Sequence, residues 1–341
     1  MTKDEKEPAR TYSHWLEARD EADACLATDP DKAERIYLAG LTQFPDNAPL
    51  LGLYALFLYE VRDDYDGAEE YFERALAANP EHYANLADYA RFLENVRKNY
   101  DRAEEIYKKL LELDAEGTIG LINYGLFLWY VRKDYDAVEA LYENLPEVDR
   151  YWPDSWYYYI DFIIDVRRDY DKAEKLYREL VGFNPEDPDA ANRFAIFLAQ
   201  VRGKHDEAEL EYRRAVELAP KDAVIVANLA GHLLALGEKD EGLAYLERAF
   251  ELGPDDISTL EFHFYRYAHD TDEGLRRDSL AEIKRLINAG VRSHGWDLSL
   301  NVARAATDGH PEPEFLASLA KVIAGDTDAG ELRRFEVWRR A

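Results

Sequence analysis

The sequence predicts an all-α fold, an α-solenoid of stacked helix–turn–helix repeats with a helical C-terminal extension. The first observation is a motif, Val-Arg-x-x-Tyr-Asp-x-x-Glu, that recurs every 35 residues and has His in place of Tyr in its last copy. Its copies begin at Val61, Val96, Val131, Val166 and Val201. A fixed period of roughly 20–50 residues is typical of supersecondary units that stack on their neighbours.

The second observation is that small residues recur in both helices predicted for each repeat. Side chains three or four residues apart share a helix face, so a small residue there lets the neighbouring helix approach closely. The first-helix series is Ala55, Ala90, Gly125, Ala195 and Ala230, interrupted by Ile160, and the second-helix series is Ala68, Ala103, Val138, Ala173 and Ala208.

The third observation concerns the two ends of each second helix. Prolines such as Pro80 and Pro220 close it, because proline lacks an N–H and fixes φ. At its start, Asp66 and Glu69 have the spacing of a capping box, and the preceding Asp64 is an equally good N-cap. We therefore interpret these recurring acidic residues as caps rather than as ligands.

The arginine of each motif copy forms a regular series along the repeats. Its members are Arg62, Arg97, Arg132, Arg167 and Arg202. We expect each to pair with an acidic residue of its own or the neighbouring repeat and so to set the repeat geometry. The functional alternative is an anion-binding ridge.

The periodic pattern divides the chain into four parts. We expect a disordered tail over residues 1–10, a degenerate capping repeat over 11–46 and six full repeats over 47–254. After Pro254 the period is lost. Residues 255–341 are therefore predicted to be a helical extension that caps the open end of the stack.

Composition and charge limit the compartment and the partners. The formal net charge of −28 repels phosphate backbones and anionic membranes and attracts basic partners, or alternatively only keeps the chain soluble. The polar N-terminus shows no signal peptide, the single cysteine excludes an internal disulfide, and no apolar run reaches the ~20 residues of a membrane span. We expect a cytoplasmic protein without nucleic-acid or membrane partners.

Motifs for catalysis, cofactor binding and metal binding are missing from the sequence. It contains no Gly-rich phosphate loop, no cysteine pair and no His-Glu-x-x-His. His263 and His269 are six residues apart, which places them on different faces of a helix, and nothing marks a base beside Cys25. The expected protein is not an enzyme and has no cofactor or metal.

The pattern of small residues and closing prolines resembles the tetratricopeptide repeat over roughly residues 10–254. This resemblance implies a right-handed solenoid whose first helices line a concave groove. Five repeats are one residue longer than the family's usual length of roughly 34 residues, with the extra residue in the Val-Arg turn. The segment from Trp156 to Phe162 also looks like the half-a-TPR variant of RNA-processing scaffolds.

Alignment on the family pattern gives the positions that face the groove. Large aromatic side chains there are typical anchor points, and nearby carboxylates favour Lys or Arg on the partner. The expected partner-binding residues are Tyr59, Arg91, Glu94, Leu126, Trp129, Tyr130, Asp154, Tyr157, Asp161, Asp165, Arg193 and Asn228. For Trp129 and Tyr130 the alternative is packing against the next repeat.

The resemblance implies a non-enzymatic scaffold or adaptor, or the regulatory subunit of an enzyme, that binds a protein segment. We expect this segment to be apolar with basic residues, and the groove to be acidic and aromatic. The chain is not predicted to clamp the acidic C-termini of Hsp70 or Hsp90, because the places of the clamp residues hold Gly52, Leu56, Ala87 and Asp88, with only Asn123 matching. The alternatives are an RNA-processing scaffold of the half-a-TPR type and a small-ligand sensor that uses the C-terminal extension.

Overall fold

The computed structural model describes residues 11–113, 118–143 and 153–341. Within these ranges every regular element is a helix, in agreement with the predicted fold class. The α-helices are α1 (Trp15–Leu26), α2 (Pro30–Gln43), α3 (Ala48–Val61), α4 (Tyr65–Ala78), α5 (Tyr83–Phe92), α6 (Tyr100–Leu113), α7 (Thr118–Leu126), α8 (Tyr135–Glu143), α9 (Pro153–Phe162), α10 (Tyr170–Phe183), α11 (Pro188–Ile196), α12 (His205–Leu218), α13 (Ala223–Leu236), α14 (Lys239–Glu251), α15 (Asp256–His269), α16 (Glu273–Asn288), α17 (Ser299–Thr307), α18 (Pro313–Ile323) and α19 (Glu336–Arg340).

The chain forms two compact units, residues 1–159 and 160–341, and the boundary falls within α9. In the first unit α1 packs on α2, α3 on α4, α5 on α6 and α7 on α8. In the second unit α11 packs on α12, α13 on α14 and α15 on α16. Each unit is a series of helix–turn–helix hairpins, which confirms the all-α solenoid.

First helices of successive repeats also contact each other, since α3 packs on α5 and α13 packs on α15. The small residues predicted for these contacts are buried: Ala55, Ala68 and the neighbouring Phe72 are each 0% exposed. A Cβ atom on Gly125 would lie 2.4 Å from the hydroxyl oxygen of Tyr142. These positions therefore need small side chains, as the sequence indicates.

Four first helices end in a π-helical turn that continues the α-helix before it. These turns are Leu93–Arg97 after α5, Phe127–Arg132 after α7, Ile163–Arg167 after α9 and Phe197–Val201 after α11. A π turn contains more residues than an α turn because its hydrogen bonds span five residues instead of four. In these four repeats the extra residue is therefore accommodated inside the last turn of the first helix, whereas α3, in another 35-residue repeat, ends at Val61 without a π turn.

A left-handed residue follows each of the first three π turns. Lys98, Lys133 and Arg168 have φ angles of 54°, 54° and 55°. The backbone N–H of Asn99 then donates to the carbonyl of Leu93 over 3.0 Å, which closes the helix end. By contrast α13, in the repeat that returns to 34 residues, has no π turn and ends directly at Gly237, whose φ is 94°.

Several second helices are capped by the acidic residue just before them. The side chain of Asp64 accepts the N–H of Gly67 over 3.0 Å, and Asp169 accepts the N–H of Lys172 at the same distance. Of the two alternatives that the sequence left open, Asp64 is the cap. Asp66 does not cap its helix but pairs with an arginine of the next repeat.

The arginine series links each repeat to the one before it. Arg97 Nη2 lies 2.6 Å from Asp66 and its Nε 2.7 Å from Glu69, while the guanidinium lies over the ring of Phe92. The same arrangement joins Arg62 to Asp31 and Glu34, Arg132 to Asp101 and Glu104, and Arg202 to Asp171 and Glu174. Because these guanidiniums already bind two carboxylates each, the structure favours the geometric role over an anion-binding ridge.

The C-terminal extension begins with α15 and α16, which form one more hairpin. Helix α17 packs on α13, α15 and α18. The turn before α17 is tied to the end of α18, because the N–H of Ser293 donates to the carbonyl of Ile323 over 2.8 Å. None of the helices that the structure describes combines the length and the apolar character that crossing a membrane requires.

Candidate partner-binding face

Three positions of each first helix form a repeated surface that we call the first-helix stripe. Its first position is Leu56, its others lie three and four residues later, and the set repeats every 35 residues. In residues 1–159 the stripe is Leu56, Tyr59, Glu60, Arg91, Glu94, Asn95, Leu126, Trp129 and Tyr130, and in residues 160–341 it is Asp161, Ile164, Asp165, Ile196, Ala199 and Gln200. All of them except Ala199 are partly or fully exposed.

The aromatic part of the stripe lies in residues 1–159. Tyr130 is 63% exposed, and its ring stacks on that of Trp129 with a centroid distance of 4.7 Å and an interplanar angle of 12°. Tyr59 packs edge-on against the buried ring of Phe92 at 5.5 Å. The Trp129–Tyr130 stack thus presents a large, well-supported aromatic surface.

The charged groups of this part of the stripe have partners of their own. Arg91 pairs with Asp88 at 2.7 Å, one turn earlier on the same helix. The carboxylate of Glu94 accepts the hydroxyl of the buried Tyr107 over 2.8 Å. Glu94 is therefore held in place by the core, and Glu60 stands exposed at the same end of the neighbouring first helix.

The part of the stripe in residues 160–341 is acidic. Asp165 is exposed and Asp161 is half-buried one turn before it. Burial raises the pKa of Asp161, the nearby Asp165 raises it further, and the guanidinium of Arg193 opposes both effects. A second cation beside the two carboxylates would lower this pKa.

Two of the expected partner-binding residues do not present a usable surface. Tyr157 is only 9% exposed and Asn228 only 5%. Asn228 Nδ2 donates to Asn192 Oδ1 over 3.1 Å, so its amide joins two adjacent first helices. The side chain of Asp154 lies outside the described part of the chain. Tyr157 and Asn228 are therefore buried rather than exposed on the groove face.

The π turns are the feature of the site that sequence reasoning missed. Glu94, Trp129, Ile164 and their exposed neighbours lie within these turns, so the widened turn sets the direction of the side chains. π turns occur frequently at functional sites. The signal was present in the sequence as a period of 35 residues, although it pointed to the turn rather than to the helix end.

Two histidines of the extension, His263 and His269, are kept neutral by their burial. Burial lowers the pKa of His263 and of His269 to about 4. His263 lies 3.1 Å from the hydroxyl of Ser279 and His269 lies 2.8 Å from the side-chain oxygen of Asn301. In the described residues no three or more His, Cys, Asp or Glu side chains are grouped to hold a metal ion.

Comparison with known proteins gives two family models, both described as tetratricopeptide repeat. One matches residues 62–119 and 202–260, and the other matches residues 166–223. A comparison with curated proteins gives no significant match. Residues 62–119 and 166–260 thus match tetratricopeptide repeats, and proteins built from these repeats generally mediate protein–protein interaction and are typically not enzymatic.

Solved structures agree with this class at the level of the fold. Yeast Tom70 superposes with a TM-score of 0.54 at 17% identity, over 96% of this chain and 65% of that chain. A tetratricopeptide repeat protein from Parabacteroides merdae gives a TM-score of 0.46 at 18% identity, over 81% and 98%. YrrB, described as a TPR protein with an unusual peptide-binding site, gives 0.38 at 23% identity, over 56% and 96%.

Proposed function

We propose that the chain is a cytoplasmic interaction scaffold that binds a partner protein segment on its first-helix stripe. The observation that carries this proposal is the 63% exposure of Tyr130 on a ring stack that is fixed by Trp129. A tyrosine of this size, held rigid on one side and open on the other, is the usual form of an interface anchor. It loses little conformational freedom when a partner covers it.

The partner segment combines apolar and basic residues. In residues 1–159 the ring stack, with Leu126 one turn earlier, offers an apolar contact beside Glu60. In residues 160–341 the Asp161–Asp165 pair offers a site for a cation. The two parts of the stripe are separate binding surfaces in this proposal, and each has its own test.

The charge of the chain supports a protein partner over RNA. Of the charged side chains, 70 are acidic and 42 are basic, and nucleic-acid binding depends on neutralising phosphates with Lys and Arg. The arginines of the motif series are already paired with carboxylates. A half-a-TPR type of RNA scaffold would need a cationic surface, which the stripe does not offer.

Selection from a random peptide library on the full chain tests the proposal. We expect enriched peptides to carry Lys or Arg together with aromatic or aliphatic residues. Tyr130→Ala should weaken a peptide that binds residues 1–159 by at least about tenfold, as expected for an anchor worth ~1.4 kcal/mol or more. The matched control is Tyr65→Ala, which removes a 40% exposed tyrosine from α4.

Asp165→Asn tests the acidic surface in the same way. We expect it to weaken the binding of basic peptides to residues 160–341 and to reduce the dependence of binding on salt. Glu217→Gln, which neutralises an exposed carboxylate on α12, is the control. Enrichment of acidic peptides, or equal losses in the stripe variants and their controls, would contradict the proposal.

A further inference from the structure

We propose that residues 293–307 occupy the end of the first-helix stripe in residues 160–341, as a bound segment supplied by the chain itself. The inner face of α13 and α15 is then a helix-binding surface, and α17 is its occupant. This inference rests on the proposed function of the stripe. It adds the kind of segment that the surface accepts and a competition between that segment and a partner.

Register places the occupied surface on the stripe. Gly231 on α13 lies 35 residues after the stripe residue Ile196, and Tyr265 on α15 lies 34 residues after Gly231, which is the length of that repeat. His269 follows Tyr265 by one helical turn, as Gln200 follows Ile196. On earlier first helices these two positions are open to solvent, whereas Tyr265 is 3% and His269 5% exposed.

Three polar pairs attach the segment to one face of α15. Glu261, Tyr265 and His269 are four residues apart and thus share that face. The indole N–H of Trp296 donates to Tyr265 Oη over 3.0 Å, and the side-chain oxygen of Asn301 lies 2.8 Å from Nε2 of His269. The remaining pair is a hydrogen bond between the hydroxyl of Ser293 and the carboxyl of Glu261. The segment is therefore recognised by side chains along its whole length.

Apolar packing completes the contact with α13 and α15. Leu298 is 2% and Ala305 is 1% exposed. At the end of α13, Gly237 leaves room for the guanidinium of Arg304, because a Cβ there would lie 2.1 Å from Arg304 Nη2. The absence of a side chain at Gly237 thus makes room for the basic side chain of Arg304.

The occupant shares part of the chemistry expected of a partner segment. About half of its residues are apolar, and it carries Trp296 and Arg304 together with His294 and Asp297. We infer that partners of this surface are short helices with an aromatic residue just before the helix, a small apolar face and an arginine in the last turn. Such a partner gains the surface only by displacing residues 293–307, which lowers its apparent affinity by the fraction of chains in which the surface is free.

The test uses the full chain and a labelled synthetic peptide of residues 291–310. We compare the wild type with the double variant Trp296→Phe and Asn301→Ala, which removes two of the three polar pairs and keeps the apolar packing. Fluorescence anisotropy should show the peptide binding to the double variant at least about tenfold more tightly than to the wild type. Ser318→Ala, which removes a hydrogen bond to Arg334 elsewhere in the extension, should behave as the wild type.

Hydrogen exchange of the same proteins separates an occupant from a structural cap. We expect amides of α17 to exchange faster in the double variant while α13 and α15 keep their protection. Loss of protection in all three helices together, or no peptide binding to a variant with a released α17, would overturn the proposal. If the double variant does not fold, Arg304→Ala is compared with the wild type instead, since this change removes no buried hydrogen bond. Because the probe is this chain's own segment, its failure leaves the library selection on residues 1–159 unaffected.

Discussion

The 35-residue repeats and the 34-residue repeat at the end of the series use the same hairpin but end their first helices differently. In four of the five longer repeats a π turn lengthens the helix end, and a residue with a positive φ such as Lys98 follows. In the shorter repeat α13 stops at Gly237 without a π turn. The stripe is open on the longer repeats, including α3, which has no π turn, whereas the corresponding surface of the shorter repeat packs against α17.

This difference shows what one extra residue does in a repeat. In four of the five longer repeats the added residue lies in the last turn of the first helix, close to side chains such as Trp129 and Tyr130. Within each of the two units the longer repeats carry exposed stripe positions. The shorter repeat forms a surface on which the chain's own α17 packs.

The two regions also differ in how they bury a carboxylate, and the largest expected effects follow from this. Burial alone would raise the pKa of Glu174, but hydrogen bonds from Lys204 and Arg178 lower it from 4.5 to about 2. A lowered pKa contributes stability above the unfolded value of 4.5, and this contribution is lost as the pH falls toward 2. Glu174→Gln should therefore lower the free energy of unfolding by about 3 kcal/mol at pH 7.

Urea unfolding at several pH values measures this effect. The difference in unfolding free energy between the wild type and Glu174→Gln should shrink below the unfolded pKa of 4.5. Glu179→Gln is the control on the same helix, since its carboxylate is 41% exposed and pairs with Lys175 only at 3.7 Å. That change should cost a few tenths of a kcal/mol. Equal deficits for both variants would show that the inter-repeat pairs do not stabilise the longer repeats.

Glu261, in the covered region, should show the opposite pH dependence. Burial raises its pKa from 4.5 to about 7, although the hydrogen bond from Ser293 opposes the rise. The folded state therefore loses stability as the pH rises from 4.5 to 7. Glu261→Gln should be more stable than the wild type by about 3 kcal/mol at pH 8, and this advantage should fall to about 1 kcal/mol at pH 5.

Thermal unfolding at the two pH values tests this sign. If the advantage of Glu261→Gln is the same at both, the carboxyl does not titrate in the pH range that its burial implies. If instead Glu261→Gln is less stable than the wild type at both pH values, the hydrogen bond between the Glu261 carboxyl and Ser293 stabilises the fold by more than the burial of the carboxylate destabilises it. Comparison with Glu174→Gln then shows whether the open and covered regions respond to pH with opposite signs.

Substitution of an arginine of the motif series should have an intermediate effect on the free energy of unfolding. Arg97→Ala removes contacts with Asp66 and Glu69 and the packing over Phe92, and we expect a loss of about 1 kcal/mol in unfolding free energy. Arg102→Ala is the matched control, because its pair with Glu105 lies on the exposed face of a single helix. An equally large loss of unfolding free energy in Arg102→Ala and Arg97→Ala would contradict a specific role for the arginine series.

The left-handed residue after the π turn should give the smallest effect. Lys98 has a φ of 54°, a conformation that disfavours side chains with a Cβ. Lys98→Gly should therefore stabilise the chain by about 0.5–1 kcal/mol. Gly203→Ala, at a position with a φ of 64°, should destabilise by a similar amount, and measuring both by urea unfolding at neutral pH checks the pair. A loss of stability in Lys98→Gly would mean that the turn is unstrained.

Much of the repeat architecture could be predicted because it repeats. Ala55 and its counterparts identified the helix contacts, and a period of 35 residues identified the hairpin. The stripe positions came from the same register. Tyr157 was misplaced because burial depends on which neighbouring helix covers a residue, and the repeat pattern alone does not show this.

The features that could not be predicted are those that occur once. The pairing of His269 with Asn301 joins residues 32 positions apart in a region without a period. The packing of Arg304 against Gly237 depends on where α17 crosses α13, which no local pattern determines. Likewise, the buried amide pair of Asn192 and Asn228 includes one side chain, Asn228, that the sequence pattern placed in the binding groove.

The binding role of the first-helix stripe is tested most directly by hydrogen exchange of the full chain with and without a peptide selected from the library. For a peptide that binds residues 1–159, we expect slower exchange in the segment that includes Trp129 and Tyr130 and unchanged exchange in α4, with both effects lost in Tyr130→Ala. Protection confined to second helices such as α4, or protection that persists in Tyr130→Ala, would show that the partner binds elsewhere.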